Sequence, residues 1–526
     1  MQEIDLHNTF QLVLILIMLA AGVTAIAKKL KQPYPIALVI VGALIGLMNI
    51  PILEPVKKFI TEGEIFNFVI ITLFLPALLG EASLKLPYSH LKENKKPILV
   101  LAFGGTLISF LVTGFASRHF LDLPLAAAFV FGSLMSATDP VSVLSIFKTL
   151  GVRKKLAIVI EGESLFNDGL AVVLFNISAY SLIKYIDAGF EGLGMGLWDF
   201  VRVISLGLIA GGVLGYAFSQ LTRLYDDYPL EIIFSMILFY GSFLAAEHFH
   251  ASGVIAVVVA AIIFGNYGAR IGMSPTTKLN IHNFWDVAAH LANSIVFLMV
   301  GLEITRIDIH DKWGMIFAAI VIVLAARSAA VYISMAFIRN FPPMWLHILN
   351  WGGLKGSLSI ALVMSLPRDF PAREEVLVLA FSVVLFSLVV QGLTIKPFIR
   401  LLGITSRGEE DIEYEGLIAK LNRYETAIEE INRMKSRLYA SEPATREILA
   451  EYNYKIKDTK EKIEELFSRE PSIKNRQLDT LRKHVLYAEN EAIEKLERDE
   501  IISARTAENE REEIVSGLVK QKGDTH

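Results

Sequence analysis

The sequence predicts an all-α polytopic membrane protein with a soluble helical tail, and three observations carry that expectation. Its 526 residues are 53% hydrophobic and only 20% charged, with a mean hydropathy of +0.49, too apolar for a soluble chain. Long apolar runs fill residues 1 to about 403, broken by short charged or Pro/Gly-rich joints, whereas residues 404–526 are dense in Glu, Lys and Arg. Acidic residues stand inside the apolar runs, at Asp139 and across Glu161-Gly162-Glu163-Ser164-Leu165-Phe166-Asn167-Asp168-Gly169. A charge at the bilayer centre costs about 2.5–3.5 kcal/mol on insertion scales, so carboxylates kept there mark an ion or proton path. The expected domains are a transmembrane domain over 1–403 and a tail over 404–526.

At about 20 apolar residues per span, about thirteen transmembrane helices are expected. They run near 9–30, 34–50, 65–84, 97–117, 124–148, 156–186, 197–222, 229–248, 251–268, 281–304, 313–338, 344–366 and 375–402. Met1 to His7 carries Glu3 and Asp5 instead of a basic leader, so the first run reads as a retained span and not a signal peptide. With the N-terminus outside, cytoplasmic joints collect Lys28, Lys29, Lys31, Lys85, Lys92, Lys95, Lys96, Lys148, Arg153, Lys154, Lys155, Arg223, Arg270, Lys278, Arg339, Lys396 and Arg400. The other side holds fewer: Lys57, Lys58, Arg118, Lys184, Arg202, Arg306, Lys312, Arg368 and Arg373. Positive charge inside and an odd span count leave the tail in the cytoplasm.

Two spans read as broken helices. Thr138-Asp139-Pro140 sets a helix-breaking proline beside an acid in the fifth, and Trp351-Gly352-Gly353-Leu354-Lys355-Gly356-Ser357 sets three glycines around a lysine in the twelfth. Interruptions seven spans apart predict two inverted repeats with the binding site between them. Leu79-Gly80-Glu81 and Gly301-Leu302-Glu303 echo each other at the same spacing.

On a helix Glu163 and Asn167 share a face, as do Ser164 and Asp168. The stripe offers the hard oxygens that a sodium-sized cation needs, and carbonyls freed beside Pro140 can replace its lost water. A carboxylate that binds a cation can bind a proton instead, and that competition couples two fluxes. Any one of these acids could instead cap a helix or pair with Arg327 or Lys355. Arg327 is mid-span and needs an anion; Glu163 as its partner leaves Asp168 for the ion. His290 reads as a core residue, Glu247-His248-Phe249-His250 as a wet loop edge, and Gly104-Gly105, Gly211-Gly212 and Gly215 as close helix contacts.

The tail reads as helix divided by Pro443 and Pro471. Leu417, Leu421, Tyr424, Ile428, Ile431, Met434 and Leu438 form a seam for another tail or the cytoplasmic loops. The net charge of −4 sits mostly in the tail and implies little about partners. With no cysteine there is no disulfide, thiolate zinc site or cysteine nucleophile. No dinucleotide fingerprint or phosphate loop occurs, and neither an enzyme, a cofactor nor a nucleic-acid partner is expected.

Thr138-Asp139-Pro140-Val141 followed by Gly162-Glu163-Ser164-Leu165-Phe166-Asn167-Asp168-Gly169, with Ala326-Arg327 and Gly352-Gly353-Leu354-Lys355-Gly356, resembles the sodium/proton exchanger branch of the monovalent cation:proton antiporters, the NhaP-like bacterial proteins and their animal relatives. The resemblance spans about residues 9–403. It implies a homodimer in a prokaryotic cytoplasmic (inner) membrane, each protomer holding a dimerisation domain and a six-helix core with crossed broken helices that moves as an elevator. It implies that Asp168 is the carboxylate for Na⁺ and H⁺, with Asp139, Thr138 and Ser164 lining the site. By the same resemblance Glu163 pairs with Arg327 and holds Asn167, and Asn167 before Asp168 marks electroneutral exchange. Glu81 and Lys355 stand as supporting residues; Lys355 replaces the arginine common in the glycine motif and keeps charge without bidentate geometry. The rival readings are K⁺/H⁺ exchange on the same fold, an intramembrane aspartyl protease, for which the flanking motifs are wrong, and a regulated channel.

Overall fold

The computed structural model describes residues 6–30, 33–48, 68–225, 227–304, 311–338, 341–404, 409–436, 442–499 and, within 501–510, all but 504 and 508. Lys31, Lys57, Lys58, Arg306, Arg339 and Leu438 of the orientation and seam arguments, and the side chain of Glu303, lie outside the described residues. The chain divides into two compact units, Met1–Thr405 and Ser406–His526.

The described residues of the first unit are helical apart from short joints and form no sheet. In a bilayer only a helix or closed barrel satisfies every backbone polar group, and runs rich in Leu, Ile, Val and Ala choose the helix. Among the described residues nine helices are long and apolar enough to span, beginning with Lys95–Phe120 and Leu125–Leu150 and ending with Trp313–Met335 and Arg373–Leu401. Tyr34–Leu47 is a shorter apolar helix. Leu6–Lys29, Leu75–Lys85 and the pair Pro343–Trp351 and Ser357–Met364 fall on other expected spans.

Both expected breaks are present, and they cross. Leu125–Ser136 stops before the extended Ala137, Pro140 precedes Val141–Leu150, and the chain between is not helical. Gly352 to Gly356 likewise separates Pro343–Trp351 from Ser357–Met364. The Asp139 N–H donates to the Leu354 carbonyl at 2.7 Å, and Ser359 Oγ donates to the Leu134 carbonyl at 2.7 Å. Each break thus satisfies backbone groups that the other exposes.

Close helix approach falls on small residues, though not on all those expected. A Cβ on Gly215 would meet the Ala260 backbone at 2.9 Å, and one on Gly211 would strike the backbone of Ala256, so Gly189–Thr222 and Gly253–Ile263 pack nearly backbone to backbone. Gly212 faces open space, and Gly104 and Gly105 have only ordinary contact with Ser334, because the neighbouring helix lies along one glycine face only. His290 is half-buried with its ring centroid 4.6 Å from that of Tyr34, and Glu247 and His250 are exposed.

The second unit contains Glu409–Ser436, Glu442–Arg469 and Pro471–Arg498, with prolines in the first turns of the last two, where a missing N–H costs nothing. The partner expected for the seam is corrected here. Leu417 is buried with Ile463, Leu466 and Ile473, while Tyr414, Leu421 and Phe467 pack around them. Tyr424 meets Tyr452 edge-on at 6.0 Å, and Arg469 Nη2 reaches Glu413 Oε2 at 2.5 Å. The apolar seam folds onto the next helix of its own chain, since a short connection makes that partner the cheapest to find.

Candidate functional site

The helix Lys154–Asn176 supplies more polar groups than any other element, and its 3.6-residue period sorts them onto two faces. Glu161, Ser164, Leu165 and Asp168 line a cavity of about 290 Å³. Thr138, Asp139 and Pro140 line it from the first break, Gly356 to Ser359 from the second, and Glu81 and Asn293 from the helices opposite. Leucines, with Ala82, Ala137 and Val141, fill the rest of its wall, so the oxygens stand in an apolar surround.

At the first break, Ser164 Oγ donates to the Thr138 carbonyl at 2.5 Å and Asn167 Nδ2 donates to Thr138 Oγ1 at 2.7 Å. Both bonds hold the non-helical segment against the helix. A carbonyl oxygen has two lone pairs, so that of Thr138 keeps one for another partner. Asp139 folds over its own chain, its Oδ1 accepting the Val141 N–H at 2.9 Å. Asp168, by contrast, makes no hydrogen bond or ion pair with a described residue, although it sits among partly or fully buried neighbours.

Glu163 and Arg327 lie on the face turned away from the cavity. Arg327 Nη1 donates to Glu163 Oε1 at 2.5 Å and Nη2 to Oε2 at 3.3 Å, a two-pronged contact between side chains 8% and 3% exposed. Nη2 also donates to the Leu349 carbonyl at 2.8 Å, beside the second break. The pair therefore joins three helices. Asn167 departs from expectation: its described partner is Thr138 and not Glu163, and its Oδ1 is buried without a partner among the described residues. Four residues of helix bring Asn167 above Glu163, but the arginine already takes both carboxylate oxygens.

Among the described residues Lys355 pairs with no carboxylate. Its Nζ donates to the carbonyls of Met135 at 2.5 Å and Ala137 at 3.1 Å, and its N–H donates to Ser387 Oγ at 2.9 Å. The ammonium thus caps the C-terminal end of Leu125–Ser136, where orphan carbonyls and the negative end of the helix dipole favour a cation. Glu81 accepts from Lys85 Nζ at 2.6 Å, and Lys85 also pairs with Asp286 on the helix opposite.

Thr138, Asp139, Ser164, Asp168 and Glu81 are brought to one cavity; Glu163, Arg327, Asn167 and Lys355 surround it as braces. Of the polar lining residues, Glu161, Asn293, Ser357 and Ser359 were not among the expected site residues. Glu161 is seven residues before Asp168 and so falls on the same face, a spacing the sequence displays openly. Asn293 had no comparable signal, since a neutral amide in Ala292-Asn293-Ser294 reads equally well as a helix contact.

The family model described as sodium/hydrogen exchanger, transmembrane, matches residues 13–401. The chain belongs to this exchanger family. The Na⁺/H⁺ antiporter NhaG of Bacillus atrophaeus is 66% identical over 524 residues, covering 100% of both chains. The Na⁺/H⁺ antiporter NhaH of Halobacillus aidingensis is 56% identical over 76% of this chain and 99% of its own. The fold is that of the antiporter MjNhaP1 of Methanocaldococcus jannaschii, with a TM-score of 0.61 at 21% identity over 76% of this chain and 100% of the other. The exchanger is thus a multi-pass membrane protein whose relatives are named as transporters and not as enzymes, and ion transport in this family needs no cofactor. Among the described residues no group of three or more His, Cys, Asp or Glu is placed to hold a resident metal.

Proposed function

We propose that this exchanger swaps Na⁺ for H⁺ across a prokaryotic cytoplasmic membrane, with Asp168 as the shared carrier. The observation that carries the reading is the Asp168 carboxylate, unpartnered among the described residues and facing the cavity that Asp139, Thr138 and Ser164 also line. The antiport activity named for relatives at 66% and 56% identity supports it.

The mechanism follows from the donor set. A sodium ion is a hard cation that takes oxygen ligands, and the cavity of about 290 Å³ has room for an ion keeping part of its water. Asp168 supplies the compensating charge, the Thr138 carbonyl and Ser164 Oγ supply neutral oxygens, and Asp139 adds a second carboxylate nearby. A proton on Asp168 removes the charge that held the ion, so the site carries one or the other. Because either cargo brings one positive charge to one carboxylate, and Asn167 cannot ionise, the exchange is electroneutral.

The same reading includes about thirteen spans in two inverted repeats, with 1–403 as the transport domain and 404–526 as the tail. The N-terminus is outside and the tail cytoplasmic; two copies form a homodimer, and the crossed breaks move as part of an elevator. Glu163 and Arg327 hold the carrier helix, Asn167 and Lys355 hold the first break, and Glu81 supports the mouth of the site. In proteoliposomes, a pH gradient should drive Na⁺ uptake and a Na⁺ gradient should drive proton movement. Parallel assays with Li⁺ and K⁺ set the selectivity, and faster exchange of K⁺ than of Na⁺ would assign the protein to K⁺/H⁺ antiport.

A further inference from the structure

Glu161 is the acid of the opening motif that the mechanism above leaves unused. It stands on the same helical face as Ser164 and Asp168, about two turns nearer the helix N-terminus, and its side chain lines the same cavity. Other charged groups lie on the elements around that cavity, and Glu81 and Lys85 are near enough to act on Glu161 electrostatically. Glu81 and Lys85 are on Leu75–Lys85, Asp286 is on the helix Pro275–Ile304, and Asp139 is in the first break. Three of these are engaged with one another: Lys85 bonds to Glu81 at 2.6 Å and also pairs with Asp286. Asp139 holds the Val141 N–H. Glu161 makes no hydrogen bond or ion pair within reach of a described residue, and it is only half-buried.

We propose that Glu161 is a relay carboxylate, a positioning residue that draws the hydrated cation to the cavity mouth and passes it along one helix face to Asp168. The inference rests on the Na⁺/H⁺ exchange reading and adds a route of entry to it. Two turns of helix put Glu161 about 10 Å from Asp168 along the axis, too far for both to hold one bare ion. That spacing is close enough for a partly hydrated ion to move between them through a cavity whose remaining wall is mostly apolar. In an apolar surround, a carboxylate that makes no ion pair raises the local cation concentration, and the effect falls with ionic strength. Glu81 cannot serve in the same way while Lys85 neutralises it. Asp286 is likewise bound to that lysine. Ser164, between the two acids, supplies the intermediate oxygen.

The test is transport by the full-length protein in proteoliposomes, comparing wild type with Glu161→Gln and Glu161→Asp. The cation is presented on the side of the membrane nearer Lys154, the N-terminal end of the helix that carries Glu161, and then on the opposite side. Glu161→Gln should raise KM for Na⁺ on the first face by roughly three- to tenfold, the size expected of one partly screened charge. Its kcat at saturating Na⁺ should stay near wild type, and KM on the opposite face should not move. Glu161→Asp, which keeps the charge, should restore most of the lost affinity. Added choline chloride should narrow the gap between wild type and Glu161→Gln. An unchanged KM, or a fall in kcat with KM constant in both variants, would overturn the relay. If Glu161→Gln fails to assemble, Glu161→Asp decides alone: near wild-type KM with retained salt dependence supports the relay, and KM insensitive to salt in wild type refutes it. Failure of the exchange reading would look different, as absence of Na⁺-coupled proton movement in wild type.

Discussion

The N–H of Asp139 donates to the carbonyl of Leu354 at 2.7 Å, so the two interrupted helices are joined backbone to backbone at their breaks, without the Asp139 carboxylate. Gly356, two residues on, lies so close that a Cβ there would meet Asp139 Cγ at 2.9 Å and Oδ2 at 2.6 Å. Only a residue without a side chain lets the second break pass the first with Asp139 in place.

Gly356→Ala is therefore expected to push the Asp139 carboxylate aside. Overpacking of this kind typically costs about 1–3 kcal/mol, so the variant should fold with a modestly lowered melting temperature. Its Na⁺/H⁺ exchange should fall by more than about tenfold, since 1 Å of misplacement at a site can cost roughly a hundredfold. Exchange at the wild-type rate would show that the position of Asp139 is not critical.

Asp168→Asn keeps the shape of the carrier side chain and removes both its charge and its proton. Exchange should be lost at every pH, with assembly and melting temperature close to wild type, because Asp168 holds no described neighbour in place. The decisive measurements are Na⁺-dependent proton flux in vesicles and Na⁺-induced thermal stabilisation of the purified protein. Persistent Na⁺-driven proton movement in this variant would move the carrier to another group.

Much of this arrangement was legible in the chain because buried charge in an apolar run is conspicuous. Asp139 beside Pro140 announced a break with an acid in it, and Arg327 demanded an anion that Glu163 could supply. What could not be read were bonds set by three-dimensional crossing. Nothing in the local pattern says that Lys355 will cap Met135 and Ala137, or that Asn167 will hold Thr138, because both contacts bridge segments far apart in sequence. The tail seam was visible as a period, but a period does not name its partner. Lys460 near Glu425 and Arg469 on Glu413 are contacts within the hairpin that only the folded chain reveals.

Glu163 and Arg327 should prove interdependent. Breaking a buried ion pair by removing one partner typically costs about 3–5 kcal/mol, because the other charge is stranded. Arg327→Ala should therefore lower the melting temperature sharply, and Glu163→Gln should do the same. The double variant should recover part of the loss in a double-mutant cycle. Strictly additive losses would mean that the 2.5 Å contact carries no coupling energy.

Electroneutrality can be checked without mutation. In proteoliposomes clamped with K⁺ and valinomycin, the rate of pH-driven Na⁺ exchange and its equilibrium point should not change when a membrane potential is imposed. One elementary charge moved per cycle would be worth about 2.3 kcal/mol per 100 mV, a displacement of the equilibrium that pH dyes resolve easily. A reversal point that tracks voltage would require a second ionising group in the cycle, with Asp139 the first candidate.

Removal of residues 404–526 should leave the cation site intact, because Asp168, Asp139, Thr138 and Ser164 all lie before residue 403. KM for Na⁺ and turnover at the optimal pH should match the full chain. What should move is the pH at which exchange switches on, or the stability of the dimer, since a hairpin with its own buried cluster is more than a tether. Leu466, 2% exposed within that cluster, gives the milder version of the test. Leu466→Ala should cost the hairpin about 2–5 kcal/mol and reproduce the truncation's change in pH profile while the transport unit keeps its melting temperature. A truncated protein with an unchanged pH profile and dimer stability would leave the tail no regulatory part, and one that is folded but binds no Na⁺ would place part of the site in the tail.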